Sequence, residues 1–154
     1  MNTAVLFDLL QPFHKKLFDK AKQYIKVNDN EAAVVFAQAA SEMCTEYALT
    51  LLLEVRGIDF LTEPLLEIFR VRNITDKRLR KLYTILSGDH IQTMPFWEKL
   101  KKHSDRRHKI VHKGERCNKE EAEESISAID QYIKHIDGVV RQVRSRKTVG
   151  GEPD

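Results

Sequence analysis

Apolar positions along the chain recur at steps of three and four, the period of a helix with one buried face. In residues 4–27 the repeat is Leu6, Leu9, Leu10, Phe13, Leu17, Ala21, Tyr24 and Ile25, with Pro12 marking a bend or restart. Asn28, Asp29 and Asn30 interrupt it, and Asn28 with Glu31 has the spacing of a capping box for a second helix. That helix is expected to run to about Val55 on a stripe of Val35, Phe36, Ala39, Ala40, Met43, Tyr47, Leu51 and Leu52, with Gly57 ending it. Thr62 is expected to cap a shorter helix with Pro64 in its first turn, where a missing N–H costs little. Thr75 and Asp76 start another, closed by Gly88. Pro95 opens a helix carrying Phe96, Trp97, Leu100, Ile110 and Val111, which Gly114 stops or bends. Asn118 and Glu121 repeat the capping-box spacing ahead of the most regular stripe, from Ala122 through Ile126, Ile129, Ile133, Ile136 and Val140 to Val143. No segment alternates as a strand does. The pattern predicts an all-α, single-domain bundle of four to six helices over residues 1–146, with 147–154 a flexible C-terminal tail.

Composition narrows this picture. A chain of 154 residues with 42% hydrophobic and 32% charged residues suits one globular domain. Six glycines and four prolines leave little turn chemistry for a many-stranded sandwich or barrel. Cys44 and Cys117 cannot make a disulfide framework, so a reducing, cytoplasmic setting is expected. No apolar run approaches the ~18 residues of a membrane span, and Asp8 within the first apolar stretch argues against a signal peptide.

The net charge of +3 is unevenly distributed. Residues 98–120 hold nine basic side chains against four acidic ones, which leaves the rest of the chain slightly acidic. A second basic run, Arg141, Arg144, Arg146 and Lys147, closes the last helix without an acid. Such concentrations steer polyanions such as RNA, although a lysine-rich stretch also serves simply as a solvated helix face.

One helix breaks its own pattern. At about 100° per residue, Arg107 falls within roughly 60° of Leu100, Ser104, Ile110 and Val111, on the seam meant for the core. A guanidinium there is costly unless it is paired, with Glu42 or Glu46 for example, or placed at a cleft. His112 follows five residues later and His108 lies between them. An arginine that neutralises phosphate oxygens and a histidine that moves a proton suffice for phosphodiester chemistry without a metal. Asp105, His108 and His112 share a face that could ligate a metal, but no other metal signature accompanies them, and no metal or cofactor is expected. Cys117 sits in a basic loop and is expected to be passive, and the basic run from Arg70 to Lys81 is expected to be a solvated face.

The string Arg107-His108-Lys109-Ile110-Val111-His112, with Phe96-Trp97 before it and Lys113-Gly114 after, resembles the R-(polar)-x3-H signature of HEPN domains, the higher eukaryote and prokaryote nucleotide-binding superfamily. Residues 29–55 also resemble that family's alanine-rich second helix. The resemblance implies a metal-independent endoribonuclease, a toxin or defence effector, acting as a homodimer whose two motifs share one RNA-binding cleft. Arg107 would stabilise the scissile phosphate, His112 would assist proton transfer, and His108 would orient the motif or contact RNA. Arg106, Lys109, Lys113, Lys101 and Lys102 would bind RNA, and a cognate antitoxin or regulatory partner would be expected. Arg106 gives an overlapping R-x5-H spacing, so either arginine could face the cleft. Gly114 stands where some toxin members carry a modified tyrosine, so that form of control is not expected here. Two further readings stay open: a non-catalytic HEPN-like module that binds nucleotide, RNA or protein, and a helical scaffold in which Arg107 and His112 are structural.

Overall fold

A computed structural model describes residues 12–149 apart from Val71. Six α-helices lie among the described residues: α1 (Phe13–Lys26), α2 (Asn30–Val55), α3 (Thr62–Ile68), α4 (Lys77–Ser87), α5 (Trp97–Lys113) and α6 (Lys119–Val149). Short 3-10 turns at Asp59–Leu61 and Ile91–Thr93 join them, and no strand occurs among the described residues. The molecule is an all-α helical bundle, as the apolar periodicity predicts. No described helix is long and apolar enough to cross a membrane.

The central element is α2, which packs against α1, α6 and α5. Its deepest positions are mostly small: Ala33, Ala37, Ala40, Ser41, Cys44 and Ala48 are all buried. Small side chains let three neighbouring helices approach one backbone, and the bulk of the core comes from those neighbours. The expected stripe is corrected here. Of its eight residues only Ala40 and Leu52 are buried, while Tyr47 is among the exposed ones. A helix enclosed on several sides has no single apolar face to read. Thr45, buried in α2, shares a 2.6 Å hydrogen bond with the buried Tyr132 hydroxyl of α6.

Local signals set most of the boundaries. Pro12 directly precedes α1, so the helix starts there rather than bending, and Leu6, Leu9 and Leu10 lie outside the described residues. The cap of α2 is Asp29, whose carboxylate accepts from Ala32 N at 3.2 Å. Asn28 does not cap, because it takes the left-handed conformation (φ 60°) that closes the turn after α1. Thr62 does not cap α3 either: it is already helical, and its buried hydroxyl has no partner. Asp76 does cap α4, accepting from Arg78 N and Leu79 N at 2.9 and 3.0 Å. The predicted box before α6 is present in both directions, with Asn118 N to Glu121 Oε2 at 3.0 Å and Glu121 N to Asn118 Oδ1 at 2.9 Å. α6 continues to Val149, past the expected tail boundary at residue 147. Residues 150–154 lie outside the described residues.

Two apolar clusters form the interior. The larger one joins α1, α2, α4, α5 and α6 through residues such as Phe18, Leu52, Leu79, Leu100 and Ile133. A smaller one, Val34, Cys117 and Ala122 with Ile25 and Ile110 against it, holds the C-terminal end of α5 to the start of α2 and α6.

Candidate functional site

The candidate residues ride on α5, whose geometry is fixed at both ends. At its start, Trp97 N donates to Met94 O at 3.0 Å and the Trp97 ring carries the Arg80 guanidinium 5.0 Å from its centroid. At its end, Gly114 adopts φ 65°, and Glu115 N reaches back to Lys109 O at 3.3 Å. Such a left-handed terminus suits glycine and satisfies carbonyls the helix leaves open. Between these ends the helix is regular, so each side chain's direction follows at about 100° per residue.

The buried line on α5 is Trp97, Leu100 and His103, with Ile110 packed against the small cluster. This shifts the expected seam. Ser104 is only partly buried and accepts a 2.6 Å hydrogen bond from Asn73, and Val111 is 46% exposed. The shift arises because α5 packs against α6 as well as α2. Arg107 remains on the inward side, about 20° from Leu100 and 40° from His103.

The two adjacent arginines have different surroundings. Arg106 is held: its guanidinium donates to Ser125 Oγ at 2.7 Å and to Glu124 Oε2 at 2.8 Å, both on α6. The Arg106 guanidinium keeps the Glu124 carboxyl below its usual range. Arg107 is partly buried and makes no ion pair or hydrogen bond with any described residue. The carboxylates proposed to pair with it are engaged elsewhere. Glu46 bridges Arg72 at 3.2 Å, and Glu42 accepts from Gln38 at 2.9 Å.

The histidines lie on another side. His112 projects about 140° from Arg107. It is exposed, and its ring lies tilted by 46° against that of the exposed His108, with centroids 4.7 Å apart. The fold therefore brings His108 and His112 together, and separates both from Arg107 within one chain. The basic candidates face a third direction. Lys102, Arg106 and Lys109, with Asp105, Glu115 and Arg116, line a shallow groove of about 200 Å³ beside the Gly114 turn. Lys109 pairs with Asp105 at 2.9 Å, and the hydrogen bond raises the pKa of the lysine and lowers that of the acid. Lys101 pairs with Glu98 at 3.1 Å, and Lys113 is exposed on the last turn. Cys117 is buried beside this groove, and burial, then Glu121, raise its thiol pKa to about 11. It is a packing residue and not a thiolate.

Two polar features escaped the sequence. His103 is fully buried beneath Arg107's turn, and neither ring nitrogen has a hydrogen-bond partner. Burial, reinforced by the charges of Arg106 and Arg107, lowers its pKa to about 3, so the ring is neutral. Its position one turn before Arg107 was the available signal, but Ser104 competed for the same seam. The second is a cluster in which Asp89 accepts from the Tyr83 hydroxyl at 2.7 Å and lies 2.8 Å from His135 Nε2. Burial pushes the Asp89 pKa up, and the bonds from His135 and Tyr83 outweigh that and hold it below the usual range. These residues are 46 positions apart or share no period, so no local pattern links them.

No protein-family model, curated protein or solved structure matches this chain.

Proposed function

We propose that this chain is a metal-independent endoribonuclease of the HEPN type, working as a homodimer in the manner of a toxin or defence effector. The observation that carries this reading is the unpaired, partly buried guanidinium of Arg107. A cation held against the core without a carboxylate is unfavourable in the free protein, and an anion arriving beside it relieves that cost. Arg106, tied to Glu124 and Ser125, has no such vacancy, which favours Arg107 as the phosphate ligand.

In the proposed reaction a ribose 2′-oxygen attacks the adjacent phosphorus, and the bond from phosphorus to the 5′-oxygen breaks. The products are a 2′,3′-cyclic phosphate and a 5′-hydroxyl. Arg107 neutralises the non-bridging oxygens as their charge grows. His112 moves the proton, taking it from the 2′-hydroxyl or giving it to the leaving oxygen. His108, whose ring centroid lies 4.7 Å away, orients the motif or contacts RNA. The angle of about 140° between Arg107 and His112 requires the second protomer, whose motif completes the set across a shared cleft. That same angle favours the alternative, a non-catalytic HEPN-like module that binds nucleotide, RNA or a partner protein without cleaving.

Incubation of the protein with tRNA and total RNA in excess EDTA separates the two. The proposal expects cleavage by wild type, and loss of about 100-fold or more in Arg107→Ala and in His112→Ala. No cleavage, or equal cleavage by all three proteins, leaves the binding module.

A further inference from the structure

A second basic site lies away from α5. Lys15 of α1, Tyr47 and Leu51 of α2, and Asp137, Arg141 and Arg144 of α6 line an open groove of about 390 Å³. That size falls within the roughly 300–1,000 Å³ of small-molecule sites. None of these residues belongs to the candidate site described above.

The groove combines a presented aromatic ring with uncompensated positive charge. Tyr47 is 36% exposed, and its inner side rests on the buried His14 ring at a centroid distance of 5.3 Å. The Tyr47 ring is thus held by a tilted contact with His14 and remains partly exposed in the groove that it lines. Asp137 is the one acid lining the groove, and it is engaged by Lys15 at 3.3 Å. Arg141 and Arg144 are exposed and have no carboxylate partner among the described residues. Arg141 and Arg144 are about 4.5 Å apart along the axis of α6 and about 60° apart around it, so both face the groove they line. Two unpaired guanidinium groups beside one aromatic ring match successive phosphates of a strand that carries a base.

We infer that this groove binds single-stranded nucleic acid, with a base stacked on Tyr47 and consecutive phosphates on Arg141 and Arg144. This goes beyond the proposed cleavage and stands or falls independently of Arg107 and His112. If both hold, the groove is a second contact for the RNA that is cut at α5. The basic run that closes the last helix, without a role in the α5 site, then has one.

Fluorescence anisotropy of the full chain with a labelled decamer of 2′-O-methyl uridine tests it, because methylation removes the 2′-hydroxyl that cleavage needs. Arg141→Gln/Arg144→Gln is expected to lose at least tenfold in affinity. Its plot of log affinity against log salt should flatten by about 1.4, or about 0.7 for each lost phosphate contact. Tyr47→Leu is expected to lose about tenfold with the salt slope unchanged, as removal of one base stack would. Equal melting temperatures confirm that the variants are folded. Binding by the double arginine variant within twofold of wild type, with the same slope, overturns the inference. So does loss in that variant with no change in Tyr47→Leu, which identifies a patch for any polyanion. Arg107→Gln, measured alongside, reports on the α5 site separately: its cleavage of unmethylated RNA can fail or persist without altering either outcome.

Discussion

Arg106 and Arg107 are adjacent and chemically identical, yet their environments assign them opposite work. Arg106 closes a partly buried network with Glu124 and the buried Ser125. Its replacement by alanine should destabilise the fold by about 2 kcal/mol, because the hydrogen bonds involve a charged donor and leave Ser125 without its partner. Arg107→Ala should leave stability unchanged or raised, since it removes a cation that has no partner. Denaturant unfolding of the two variants distinguishes these outcomes directly. His103 gives a third residue-scale expectation. Its folded pKa of about 3 lies below the ordinary histidine value of 6.5, so between those values the unfolded chain binds a proton that the native ring refuses. Stability contributed by the neutral ring is therefore present above about pH 6.5 and is lost as pH falls toward 3. His14, whose pKa is also lowered by burial, acts in the same direction. His103→Leu removes two unpartnered buried nitrogens at similar volume. It should stabilise the protein by about 1 kcal/mol at neutral pH and move the acid-unfolding midpoint to lower pH.

At the scale of elements, short-range chemistry was legible, and so was burial on α6, where Ala122, Ile129, Ile133, Ile136 and Val140 are buried as their period predicts, but not on α2. The box at Asn118 and Glu121, the Asp76 cap and the left-handed Gly88 and Gly114 all follow from residue type at fixed spacing. Asn118→Ala should accordingly cost about 1 kcal/mol, read by urea unfolding. Gly114→Ala should cost a similar amount. No atom lies within 4 Å of an added Cβ, so the penalty is the positive φ alone. The failures have a common cause. Asn28 reads as a cap by spacing, but the turn after α1 takes it first and the cap falls to Asp29. On α2 small residues are buried on several sides and only Ala40 and Leu52 of the expected stripe are among them, whereas on α5 Trp97 and Leu100 are buried as expected and the line then turns through His103 instead of Ser104 and Val111. Periodicity locates one apolar face and says little where a helix is enclosed. The candidate site was partly legible for the same reason. Arg107 stood out by breaking a pattern, whereas the Tyr83–Asp89–His135 cluster forms only once α4 and α6 meet.

At the scale of the whole molecule, one chain separates the groups that the proposed chemistry must unite. Arg107 faces inward, and His108 and His112 face solvent. The proposed homodimer needs an arrangement in which one chain's Arg107 meets the other's His112. Val111, 46% exposed and about 40° from Arg107, is the apolar side chain best sited to be covered by that contact. Val111→Asp should weaken self-association by at least tenfold in sedimentation equilibrium and reduce cleavage in parallel, with an unchanged melting temperature. A fall in cleavage with no change in association would place Val111 at the substrate instead.

In the proposed function the unpaired guanidinium of Arg107 meets the phosphate that is cut. The single-turnover rate of RNA cleavage in excess EDTA, with the product ends identified, for wild type, Arg106→Ala and Arg107→Ala tests that role. Cyclic-phosphate ends are expected from wild type, with a rate for folded Arg106→Ala within tenfold of it and a rate for Arg107→Ala lower by about 100-fold or more. Undiminished cleavage by Arg107→Ala, or no cleavage by wild type, would overturn it.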